Sequence, residues 1–285
     1  MIYLSNFTFT SGFREDMYLD AIKANCFDTF YPFMVLPKKG ISSLNFDNIT
    51  ILYGGNGSGK STILNIIAEK IGADRIAPFN KTNFYEDYLK YCEAEYLNAD
   101  AEIKTFIASD DVFDHMLSLR RLNQGIDDKR QERINDYLDY RYKNFRFESM
   151  DQLDELRKSN MAKNKTMSQY VRNTIVDNVR EYSNGESAFR YFVNKIDKGG
   201  IYILDEPENS LAPEMQLKLI DYIQQSARGY NCQFIIASHS PFILSMKGAL
   251  IYDLDHYPVE PRPWHELENV RAYYRLFMER KKEFE

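Results

Sequence analysis

The run Gly54-Gly55-Asn56-Gly57-Ser58-Gly59-Lys60-Ser61 constrains this chain more than any other feature, because it satisfies G-x-x-x-x-G-K-[ST] at every fixed position. The residues before it, Asn48 to Tyr53 (NITILY), are β-branched and apolar. Those after it, Thr62 to Lys70 (TILNIIAEK), suit a helix with apolar positions along one side. Strand, loop and helix in that order are the context a phosphate-binding loop needs, and a plain glycine-rich connector does not need it. The four glycines let successive N–H groups turn inward, where a side chain would block a phosphate or forbid positive φ. Thr62 continues the helix, whose N-terminus adds its dipole. Lys60 would then reach the β and γ phosphates of a nucleotide, and the Ser61 hydroxyl is placed to ligate the magnesium ion (Mg2+) that bridges them.

With 285 residues, 44% hydrophobic and 27% charged, the chain is long enough for one large domain, 1–285. Its segments differ in kind. Residues 1–53 hold aromatic and β-branched runs broken by Gly12, Pro32, Pro37 and Gly40, which predicts short strands and turns. Residues 81–182 contain no proline and a single glycine, Gly125, and largely suit helices, a helical insertion in the domain. From Gly200 onward, strand and helix patterns alternate: Gly200–Leu204, a helix over Glu214–Gln225, then Cys232–Ala237. Alternation of this kind predicts an α/β fold with parallel strands and crossover helices. Residues 256–285 read as a proline-rich turn, PVEPRP, and a helix from Trp264 to Glu285.

Cys26, Cys92 and Cys232 are odd in number and far apart, which indicates neither a disulfide framework nor a zinc site and fits a reducing, cytoplasmic setting. No stretch approaches eighteen apolar residues and the N-terminus has no basic start, so a soluble chain, neither secreted nor inserted in a membrane, is expected. A net charge of −6 argues against binding nucleic acid by whole-surface attraction.

Two further strands end in chemistry. Ile201-Tyr202-Ile203-Leu204 runs straight into Asp205 and Glu206, and ligands in open α/β sheets sit at the carboxyl ends of strands. Beside a phosphate-binding loop, Asp205 is placed to hold the Mg2+ and Glu206 to accept a proton from an attacking water. Phe234-Ile235-Ile236-Ala237 ends at Ser238, His239 and Ser240, which makes His239 a candidate γ-phosphate contact.

A second turn at the head of a helix, Tyr182-Ser183-Asn184-Gly185-Glu186-Ser187, follows the insertion. Taken together and in order, these motifs resemble the ABC-type P-loop ATPases, whose signature is Leu-Ser-Gly-Gly-Gln/Glu. Ser183, Gly185 and Glu186 match it, Tyr182 replaces Leu and Asn184 replaces the first Gly. Asp205 and Glu206 match the Walker B pair, Asn209–Ala212 occupies the D-loop position, and His239 matches the switch histidine. The resemblance implies ATP as ligand, an ATP-hydrolysing enzyme, and a homodimer in which Ser183, Gly185 and Glu186 of one subunit close on the ATP held by the other. The same residues also have capping-box spacing, Ser183 to Glu186, and both roles can coexist. The motifs SNGES, LDEPENSL and ASHSPF are most similar to small stand-alone bacterial "AAA family ATPases", relatives of the ATPase parts of overcoming-lysogenization-defect nucleases and other antiphage systems. The residues after Asp255 are too few for the nuclease of those relatives, and the long heptad arms of chromosome-maintenance heads are missing, so a separate effector protein is expected.

The family's Q-loop glutamine is replaced. After Ile103–Ser109 come Asp110 and Asp111, either of which could contact Mg2+ or water, while both could cap a helix over 112–122. Residues 120–147 interleave aromatic and basic side chains, among them Arg141, Lys143 and Arg146, a pattern that can track nucleic acid or simply solvate a helical face. Two other readings stay open: the nucleotide-binding subunit of a transporter, and a nucleotide-gated binding module with little turnover.

Overall fold

The computed structural model describes residues 1–22, 27–97, 101–142, 152–172 and 183–285. Cys26, the signature's Tyr182, and Lys143 to Phe147 of the basic-aromatic stretch lie outside the described residues. The chain divides into two units, residues 1–113 with 184–285, and residues 114–183.

The first unit opens with β1 (Leu4–Thr8), α1 (Gly12–Ile22), β2 (Ser43–Asn45) and β3 (Ile49–Tyr53). It continues through α2 (Lys60–Ile71), α3 (Tyr85–Lys90), β4 (Glu93–Tyr96), β5 (Lys104–Ala108) and the start of α4 (Ser109–Tyr142). The helices α5 (Leu153–Asn164) and α6 (Met167–Arg172) lie in the second unit. The chain then returns through α7 (Asn184–Lys195), β6 (Gly200–Asp205), α8 (Pro213–Gly229), β7 (Cys232–Ser238), α9 (Pro241–Leu244), β8 (Leu250–Asp253) and α10 (Glu268–Glu279).

Five strands form a sheet in the order β5-β6-β7-β3-β8, parallel throughout. All of β3 and β7 is buried, as expected where helices cover both faces and leave nowhere for alternation to show. On α2, Ile63, Leu64, Ile66, Ile67 and Ile71 are buried in the core, and at roughly 1.5–3 kcal/mol for each such side chain this face anchors the helix. Three strands form a separate antiparallel sheet, β2-β1-β4. A buried glutamine joins the two sheets. Gln233 of β7 accepts the N–H groups of Tyr3 and Leu4 through Oε1, both at 2.9 Å, and donates from Nε2 to the carbonyls of Leu4 at 2.7 Å and Asp47 at 3.2 Å.

The helix α1 corrects the expectation of strands and turns alone before residue 53. Its sequence, GFREDMYLDAI, carries little apolar periodicity, and its single fully buried residue is charged. Glu15 has 0% exposure; Oε2 accepts the Met34 N–H and Oε1 is buried with no hydrogen-bond partner among the described residues. Burial pushes the carboxyl from its ordinary 4.5 up to about 7, against the lowering effect of the Met34 N–H. The folded state therefore holds this proton more tightly than the unfolded chain does. The associated stability is full below about pH 4.5 and is lost as pH rises through about 7, a change on the order of 3 kcal/mol. Glu15→Gln is thus expected to gain thermal stability relative to the wild type between about pH 5 and about pH 8. Melting curves of the two proteins that shift in parallel over that range would remove Glu15 as the cause.

Two strands, β4 and β5, fall inside the stretch 81–182, and the described part of the second unit is helical. Within that unit Tyr137, Ala162 and Tyr170 form a small core, with the rings of Tyr137 and Tyr170 centred 5.6 Å apart. The helix expected to run to Glu285 instead ends at Glu279, where a 3-10 turn, Lys281–Glu283, takes over. No described helix is long and apolar enough to cross a membrane.

Candidate functional site

Register assembles the site. In the ladder β6-β7-β3, Asp205 pairs with Ala237 and Tyr53 with Ser238, so the three strands end level with one another. The residues that leave their carboxyl ends, Gly54, Glu206 and His239, therefore emerge along one edge of the sheet, where open α/β sheets bind ligands.

The loop 54–59 leaves β3 and enters α2 with positive φ at Gly57 (78°) and Gly59 (93°), a conformation that favours glycine. A Cβ at Gly54 would lie 2.5 Å from Ser58 Oγ, so the loop closes on itself too tightly for any side chain there. Ser58 is buried and its Oγ has no hydrogen-bond partner among the described residues, while Gly55, Asn56, Gly57 and Ser61 are exposed at the mouth. Lys60 is 4% exposed. Its Nζ donates to the Gly54 carbonyl at 2.7 Å and the Gly55 carbonyl at 3.0 Å, and lies 3.5 Å from Glu206 Oε1. A fixed positive charge thus sits within the curl of the loop.

Ser61 Oγ donates to Asp205 Oδ1 at 3.2 Å. Burial pushes the Asp205 carboxyl from 3.8 up to about 6, with the negative neighbours Glu206 and Glu208 adding to the rise and the Ser61 hydroxyl and Lys60 opposing it. A hydroxyl beside a half-buried carboxylate, all oxygen donors, is a set that suits a hard divalent cation, whose charge would favour the ionised acid. The residues present therefore fit Mg2+. Thr62, next on α2, accepts from the Tyr31 hydroxyl at 3.2 Å.

Glu206 sits in the left-handed region, φ 48° and ψ 55°, a costly conformation for a side-chain-bearing residue that is often found at functional sites. Its Oε2 accepts from Asn209 Nδ2 at 2.9 Å and its Oε1 lies 3.8 Å from His239 Nδ1. Glu206 Oε1 is therefore flanked by Lys60 and His239. A cleft of about 820 Å³ opens beside them, lined among others by Gly54, Asn56, Asn209, His239, Phe242 and Tyr273.

Ser183 and Glu186 are exposed and Gly185 half-buried at the start of α7; none of the three lines this cleft. At the Q-loop position the two acids separate. Asp111 is buried, and its Oδ2 accepts the Ala108 N–H at 2.8 Å, closing the first turn of a helix that starts at Ser109 rather than 112. Asp110 is exposed. Arg141, the described cation of the basic-aromatic stretch 139–147, donates from Nη1 to the carbonyls of Ala162 at 3.0 Å and Lys165 at 3.3 Å, holding the end of α5.

Sequence reasoning missed two acids. Glu208 Oε1 collects Ser238 Oγ at 2.8 Å, His239 N at 2.9 Å and Ser240 N at 3.2 Å. Asp255 Oδ2 accepts the Gly55 N–H at 2.7 Å, steadying the loop from outside. A third acid within four residues of Asp205 was visible in the sequence; nothing local pointed to Asp255, 200 positions from its partner.

The family model described as "ABC transporter" matches residues 41–209, and that described as "AAA ATPase domain" matches residues 184–244. No curated protein matches the chain. Among solved structures, the chain is similar to the Smc head domain with an extended coiled coil bound to the C-terminal domain of ScpA, from Pyrococcus furiosus (12% identity, 96% of this chain and 100% of that one, TM-score 0.44). It is also similar to a nucleotide-free ATP-binding cassette from an ABC transporter (15%, 81% and 87%, TM-score 0.38) and to the SMC head domain from Thermotoga maritima (14%, 88% and 94%, TM-score 0.35).

Proposed function

We propose, on the premise that this chain belongs to the ABC-type P-loop ATPases, whose model spans more than half of it, that it hydrolyses ATP as a head-to-tail dimer and serves as a switch for a separate effector protein. The observation that carries the hydrolytic part is the shared level of three strand ends, which sets Lys60, Glu206 and His239 around one carboxylate oxygen.

In this reading the N–H groups of the 54–61 loop and the start of α2 bind the β phosphate, and Lys60 bridges to the γ phosphate. Ser61 and Asp205 would hold Mg2+, which neutralises charge that builds on the phosphates. Glu206 orients a water and takes its proton at Oε1, while His239 contacts the γ phosphate from the neighbouring strand end. Gly54 keeps the loop closed and Asp255 fixes its first turn, so the donors stay aimed without rearrangement.

The exposure of Ser183, Asn184 and Glu186 at the start of α7 supports the dimeric part, since the positive end of a helix dipole, open to solvent, suits an anion brought by a second subunit. The likeness of SNGES, LDEPENSL and ASHSPF to stand-alone ATPases related to antiphage systems supports a cytoplasmic role in defence or DNA maintenance. Phosphate release from ATP by the full chain, measured with light scattering in the presence of ATP or ADP, tests both halves. Release together with an ATP-dependent rise toward dimer mass is expected. A wild type that releases no phosphate ends the hydrolytic reading, and one that hydrolyses ATP as a strict monomer ends the dimeric one.

A further inference from the structure

We propose that Glu208 is a positioning residue for hydrolysis, acting through His239. The proposal rests on the ATPase reading above and adds to it a third acid, beyond the Asp205 and Glu206 pair.

Glu208 lies in the 3-10 turn Pro207–Ser210 that follows β6, and it is 6% exposed. Its partners all belong to the tip of β7, 30 to 32 residues later. One oxygen, Oε1, accepts the Ser238 hydroxyl and two consecutive backbone N–H groups, those of His239 and Ser240. The same oxygen lies 3.4 Å from His239 Nδ1. The other oxygen, Oε2, is buried without a hydrogen-bond partner among the described residues. The whole carboxylate is thus committed, through one atom, to the three residues that carry the histidine.

The chemistry of this choice is informative. Two N–H groups and a hydroxyl are neutral donors, and an amide or hydroxyl side chain would satisfy them without the cost of burying an acid. The imidazole is the neighbour for which a carboxylate is worth that cost: it favours a proton on Nδ1 and fixes the rotation of the ring. With Nδ1 turned to Glu208, Nε2 is the nitrogen left to face a ligand. Two more contacts stiffen the same tip. Ser240 Oγ donates to Gln216 Oε1 at 2.6 Å, and Asn269 Nδ2 donates to the His239 carbonyl. The segment that carries His239 is therefore held from the turn after β6, from α8 and from α10, and of these three holds Glu208 is the one that also reaches the ring, nearer to Nδ1 than Glu206 at 3.8 Å.

A double-mutant cycle on the full chain tests this, using Glu208→Gln, His239→Ala and the two combined. Glu208→Gln is expected to lower kcat by roughly tenfold to a hundredfold, the cost of a small misplacement, with KM for ATP changed less than about threefold. In the His239→Ala background the same substitution should have almost no further effect on kcat, because its route is gone. Effects that multiply, a wild-type kcat in Glu208→Gln, or a loss confined to KM would each overturn the proposal. Should Glu208→Gln fail to fold, Ser238→Ala, which removes one donor from the same oxygen, takes its place in the cycle with the same criteria. Ring-nitrogen NMR of the protein's four histidines gives a reading that does not depend on turnover. Glu208→Gln should move the His239 signals, assigned by their loss in His239→Ala, and leave those of His115, His256 and His265 in place. Unmoved His239 signals overturn the proposal even if turnover falls. If the wild type is no faster than Lys60→Ala, the ATPase reading itself fails, and the ring spectra still decide whether Glu208 sets the imidazole.

Discussion

Glu206→Gln is expected to bind ATP as the wild type does and to hydrolyse it about a hundredfold or more slowly, the usual worth of a positioned general base. The amide keeps the shape of the side chain and can still accept from Asn209 Nδ2, so the left-handed turn at residue 206 survives. What it loses is the basic oxygen that lies 3.5 Å from Lys60 Nζ and 3.8 Å from His239 Nδ1. The phosphate-binding loop is untouched, so KM should move little while kcat falls. ATP that is bound and not consumed should then hold the protein as a dimer, because a ligand shared by two subunits favours association by its differential affinity for the closed form. Single-turnover assays with the mutant decide the point: turnover equal to that of the wild type would take Glu206 out of the mechanism.

The second large effect is a recovery. Lys60→Ala removes the buried ammonium from the loop, and Gly185→Asp sets a carboxylate where a γ phosphate would approach. Each protein alone should be nearly inactive. Gly185→Asp should fold, since a Cβ at Gly185 would meet only the flexible Met215 side chain, at 3.2 Å from its Cγ. An aspartate in the first turn of α7 also suits the helix dipole. In a mixed dimer the intact loop of one chain faces the intact turn of the other, so one complete site forms and the other carries both defects. With free exchange and independent sites, an equal mixture should regain about a quarter of wild-type turnover, half of its dimers being mixed and each having one good site. Demonstrated exchange without recovery would leave Ser183, Gly185 and Glu186 as a helix cap only.

The parts of this site that were legible in the sequence share one property: each is an apolar strand that stops at polar residues. NITILY before the glycines, IYIL before Asp205 and FIIA before His239 mark buried parallel strands and point to their carboxyl ends. What the sequence could not give is the register that levels Asp205 with Ala237 and Tyr53 with Ser238, since that depends on pairing between distant segments. Glu208 was in view as a third acid, but its partners at the tip of β7 were not. Asp255 is beyond local reasoning altogether. The helix α1 hid because it buries a glutamate in place of an apolar stripe, and tertiary contact outweighs a weak pattern. At the Q-loop position the two acids read alike in sequence, and the Ala108 N–H separates them by engaging Asp111.

The way Gln233 ties β7 to the chain's first residues bears on how the protein is made. During synthesis Tyr3 and Leu4 are made long before the side chain that satisfies their N–H groups, which follows 230 and 229 residues later. The strand that carries the glycine loop is in the same position, since both its neighbours in the sheet, β7 and β8, lie beyond residue 231. Closing such long loops is slow and leaves apolar edges uncovered meanwhile. β3 therefore emerges well before either of its neighbours in the sheet, and the phosphate-binding loop gains its final support once β7 and β8 have followed.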